Sequence, residues 1–113
     1  MSENKRLLAR YDAAIQNYAK LLAKAIETND AKGMGYDLIE ASVTVDQRRD
    51  MVIPYAEGWM LEFIAAATNL VRSLVAVANG KPDHEKAAAV GKAVSAYEEL
   101  RTRYFSAEEL ASA

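Results

Sequence analysis

The chain contains no cysteine, one histidine, two prolines and five glycines in 113 residues. Without cysteine there is no disulfide framework, no thiolate nucleophile and no thiolate metal site. A diiron bundle takes Glu-x-x-His motifs from its helices, and the lone His84, followed by Glu85, has no such partner. We therefore expect no metal and no cofactor, and His84 reads as a solvated first-turn residue of a helix. A basic excess is missing too: 14 Lys and Arg stand against 16 Asp and Glu, a net charge of −2. Nucleic-acid binders carry surplus cations to offset phosphate charge. Here the cations Lys5, Arg6, Arg10, Lys20 and Lys24 are diluted by Glu3, Asp12 and Glu27. An accessory nucleic-acid role is thus only the third reading. The opening Met1–Arg6 is polar and no apolar h-region follows it, so the expectation is a cytoplasmic chain without a secretory signal.

Scarce proline and glycine, beside abundant Ala, Leu, Lys and Glu, point to an almost wholly helical chain. Its length fits one domain, residues 1–113. Size scaling gives roughly 6,100 Å² of folded surface against about 18,000 Å² unfolded, enough burial for a core without staples. Apolar residues at Leu7, Leu8, Tyr11, Ala14, Ile15, Tyr18, Leu21, Leu22, Ala25 and Ile26 alternate by three and four, which predicts a first helix over Glu3–Thr28. The Gly33-Met34-Gly35 segment reads as the turn that follows.

Over Tyr36–Ile53, Leu38, Ile39, Ala41 and Val45 favour a helix, while the β-branched Val43-Thr44-Val45 stretch weakens it. Thr44 and Gln47 have capping-box spacing, so a restart there competes with a continuous helix. Pro54 either opens a third helix as its first residue, the preferred reading, or kinks one long helix from about Tyr36 to Asn79. Gly80 suits a left-handed cap and Pro82 forbids continuation, so the third helix is expected to end at Asn79. A last helix follows over about Asp83–Tyr104, and Ser106 with Glu109 predicts a capped terminal turn. The fold class is all-α, a four-helix up-and-down bundle. The alternative is three helices around a long Pro54-kinked central helix. Tyr11 with Tyr104 and Tyr18 with Tyr97 share one antiparallel register, which predicts two tyrosine layers between first and last helices.

The third helix carries the candidate sites. Between Phe63 and Asn79 the single charge is Arg72, a run slightly short of a bilayer span and interrupted by polar residues, so no membrane partner is expected. Trp59, Phe63, Leu70, Leu74 and Val77 form one apolar stripe; Met60, Ile64, Ala67, Val71 and Val75 form a second beside it. One core normally claims a single stripe of a surface helix. The second is expected to meet another copy or a protein partner, with Tyr55, Trp59, Met60, Phe63, Val71 and Leu74 as contacts. No catalytic constellation appears. The reading is a non-enzymatic interaction protein (adaptor, inhibitor or accessory subunit) that self-associates through the third helix. The alternative is a small-ligand or anion site, catalytic or not, near Tyr55, Trp59, Glu62 and Arg72. Arg48 and Arg49, between Asp46 and Asp50, form a candidate anion or partner-docking cluster, because arginine forks recognise carboxylates and phosphates.

Overall fold

The computed structural model describes residues 1–81 and 83–112, so the expected stop at Pro82 lies outside the described residues. Every element is helical: α1 (Glu3–Thr28), α2 (Gly35–Val52), a 3-10 turn (Ile53–Tyr55), α3 (Gly58–Asn79), α4 (His84–Tyr104) and α5 (Ala107–Ala111). The bounds of α1 match its apolar periodicity. Ser2 caps its start by accepting from the Lys5 amide at 3.2 Å. Its end turns through Asn29, whose φ of 52° is the left-handed conformation that asparagine tolerates. Neither turn glycine adopts positive φ. Gly33 serves instead by close approach, because a Cβ there would run into the Asp30 carboxylate that accepts from its amide.

Three local expectations are corrected. Pro54 neither begins α3 nor kinks a continuous helix. It sits inside the 3-10 turn, after which Ala56 and Glu57 are extended and α3 starts at Gly58. A proline cannot supply the N–H that would carry α2 onward, so the chain tightens for one turn and then breaks. Gly80 is extended at φ −108° rather than left-handed. Thr44 lies inside α2 with its hydroxyl donating to the Glu40 carbonyl, so α2 does not restart there. The predicted capping box at Ser106 and Glu109 is present in full.

The four long helices run up, down, up and down. Their cross-section is a rhombus rather than a square. α1 packs on α2 and α3 packs on α4, but α1 and α3, which run parallel, also pack directly along the short diagonal. On these two helices Leu8, Ile15, Phe63 and Ala67 are fully buried, Phe63 meeting Tyr97 and Phe105 as well. Each fully buried large apolar side chain contributes about 1.5–3 kcal/mol, so the diagonal holds the bundle together. The α1–α4 and α2–α3 edges are left with little backbone contact.

Candidate interaction groove

The two wide edges are filled in opposite ways. Between α1 and α4, Asp12 is buried at 3% exposure. It accepts from the Tyr97 hydroxyl at 2.5 Å and from Arg101 at 2.8 and 3.2 Å. Glu98, one turn before Arg101, fixes the guanidinium at 2.9 Å. A buried carboxylate is costly unless it is paired and hydrogen-bonded, and here it is both. Burial, the Asp12 charge and the hydrogen bond to Asp12 push the Tyr97 phenol well above its ordinary pKa. Burial works against the Arg101 charge, yet the Asp12 hydrogen bond and the Asp12 and Glu98 charges outweigh it and raise its pKa. Further along the same edge Lys5 meets Glu109 of α5 at 3.0 Å.

Tyrosine layers do not fill this edge. Tyr97 packs edge-on against Phe63 at 5.0 Å, and Tyr104 lies against Trp59 at 4.6 Å. Both rings of α4 turn towards α3, because α1 and α4 stand too far apart for ring-on-ring contact and a carboxylate–guanidinium bridge reaches further.

The α2–α3 edge has no such bridge. Two adjoining grooves of about 330 and 270 Å³ run along it. Tyr11, Ile15, Tyr18 and Leu22 of α1 make the floor; Leu38, Ile39, Ser42, Val45 and Arg49 of α2 make one wall; Thr68, Val71, Arg72, Val75 and Ala78 of α3 make the other. The α2 rim is an exposed apolar ridge: Tyr36 (80%), Ile39 (67%) and Val43 (46%), at i, i+3 and i+7. In the floor, desolvation lifts the Tyr11 phenol to about 12, against the opposing effects of its Thr68 hydrogen bond and Arg49.

The expected site residues divide between core and groove. Met60, Phe63 and Leu74 are interior, so within the folded monomer they are closed to a second chain. Val71 and Arg72 face the groove. Tyr55 is exposed in the 3-10 turn, and the Trp59 indole donates to Glu57 at 3.2 Å. Glu62 and Arg72 are both exposed, about 15 Å apart along α3, and Arg72 is about 20 Å along the axis from Trp59. The residues named for a ligand site are therefore not gathered into one cavity. Arg48 and Arg49 also separate. Arg48 joins Arg10 on the far side of α2, while Arg49 pairs with Asp46 at 3.3 Å beside the groove. Among the described residues no group of three His, Asp or Glu side chains converges as a metal site.

Sequence reasoning missed Asp12 and the Tyr36–Val43 ridge. For Asp12 the available signal was its place one turn from both Leu8 and Ile15 on the buried face. By length and composition α3 is apolar enough to cross a membrane, yet only 33% of its most apolar stretch is buried in the bundle. No protein-family model, curated protein or solved structure matches this chain.

Proposed function

We propose that the chain is a small non-enzymatic interaction protein, an adaptor, inhibitor or accessory subunit, that self-associates through the groove face of α3. One observation carries this reading: α3 is the most apolar helix, yet Val71 and Val75 on its α2 side are only half-buried. Val71 and Val75 line an open groove there. Uncovered apolar surface beside a concave wall is the usual setting for helix-in-groove recognition. Exposed Glu62 and Asn69 on α3, and Arg72 at the groove wall, favour a protein partner over a lipid one, since charged residues inside a bilayer are expensive.

Light scattering across a concentration series tests the proposal. The wild type is expected as a defined multimer. Val71→Glu, at a half-buried groove position, is expected to remain helical by circular dichroism and to run as a monomer. A wild type that stays monomeric throughout overturns self-association.

A further inference from the structure

The groove and the ridge lie side by side on one face, so a single surface offers both the hole and the knob. We infer that the α2–α3 groove receives the α2 ridge of a second copy, the two α2 helices pairing antiparallel about a two-fold axis near Val43. The inference rests on the self-association proposed above and names its geometry. A contact in which each copy supplies both knob and hole is isologous and closes at two, with no open-ended growth.

Area supports one such partner. The monomer exposes 6976 Å², whereas a folded chain of 12.4 kDa exposes about 6,100 Å². The excess of roughly 900 Å² is close to one partner's share of a standard interface, about 800 Å². Elongation, with a 42 Å long axis, accounts for part of it.

Charge fixes the register. Arg72 on the groove wall and Glu40 beside the ridge make no ion pair among the described residues, although seven ion pairs form elsewhere. An incoming antiparallel α2 runs parallel to α3. Setting its Val43 against Val75 then brings its Glu40 level with Arg72 and its Tyr36 level with Thr68. Glu40 and Arg72 of different copies thereby neutralise one another on both sides of the axis.

Because the chain has no cysteine, single cysteines report this arrangement cleanly. With the axis at Val43, V43C is expected to cross-link to itself through a short bis-maleimide. In D50C, also on an exposed position, the two thiols stand about 21 Å apart along the helix axes and are expected not to react. E40R and R72E are each expected to weaken the dimer about fivefold or more, and the E40R/R72E double variant to restore it. All four positions are exposed, so folding is not at stake. A dimer that cross-links through D50C but not V43C, or a double variant no better than the singles, overturns this geometry while leaving self-association intact. A wild type that never dimerises overturns both.

Discussion

The α1–α4 and α2–α3 edges occupy equivalent places in the rhombus, and the chain treats them differently. On the first, Asp12, Tyr97 and Arg101 span the gap with charge-assisted hydrogen bonds, and Lys5 and Glu109 close its end. On the second, valines line the walls and, among the described residues, no side chain crosses to the opposite helix with comparable bonds. A polar bridge suits a gap that stays internal, because it satisfies itself and asks nothing of other molecules. An apolar gap is satisfied only when something enters it. The contrast separates the part of this molecule that secures the fold from the part that leaves apolar surface open.

The largest effect is expected from breaking the bridged edge. Asp12→Ala leaves the Tyr97 hydroxyl and the mostly buried Arg101 without their carboxylate. It should cost about 3 kcal/mol in urea unfolding, with Asp12→Asn milder. A loss below about 1 kcal/mol would show that the bridge is decorative. Leu74→Ala, in the core, should cost about 2–4 kcal/mol, whereas Val71→Ala, less than one turn away on the open edge, should cost about 1 kcal/mol or less in dilute monomer. Equal losses would erase the distinction between the two faces of α3.

Alkaline titration compares the edges directly. Both phenols are raised in the folded state, so their neutral forms stabilise the fold fully below the unfolded tyrosine pKa of about 10. That stability is lost as pH climbs towards the folded values. Neither phenol should ionise in the ordinary tyrosine range while the fold persists, Tyr11 being lifted to about 12. Phenolate absorbance of wild type, Tyr11→Phe and Tyr97→Phe reads each shift, and a phenol ionising near pH 10 in the folded protein would contradict it. The smallest effect belongs to the capping box. Ser106→Ala should cost about 1 kcal/mol or less, chiefly by loosening α5 and the Lys5–Glu109 clasp. Glu109 is held below its ordinary pKa by the Ser106 amide and by Lys5. The stability it adds is therefore present above the unfolded carboxylate pKa and lost as pH falls through the lower folded value. Hydrogen exchange of the α5 amides measures both effects.

Much of the bundle could be read from the residues because its signals are local. The three-four spacing of α1 marks its length and its buried face, and the Ser106–Glu109 spacing marks the last turn. What could not be read depends on which helices approach. The two apolar stripes on α3 suggest that the second is offered to another chain, but they do not reveal that Met60, Ile64 and Ala67 of that stripe are buried within the bundle while Val71 and Val75 face an opening. The tyrosine register assumed a square bundle. In a rhombus α1 meets α3 instead, and the tyrosines of α4 follow. Asp12 was passed over because a carboxylate normally marks the wet side of a helix, and only the facing Arg101 makes its burial affordable.

The α1–α3 diagonal also says how the chain reaches this shape. α1 with α2, and α3 with α4, are sequence-local hairpins joined by the Ile53–Glu57 break, and helices with local contacts assemble quickly. Docking one hairpin on the other through the α1–α3 contact closes the long loop, so the folding barrier should lie there. Ile15→Val is expected to act mainly by speeding unfolding, whereas Val45→Ala, buried in the first hairpin, should slow refolding by nearly as much as it lowers stability. A transition state with both hairpins formed but undocked would make the short diagonal the last contact of the fold to close and, on unfolding, the first to open.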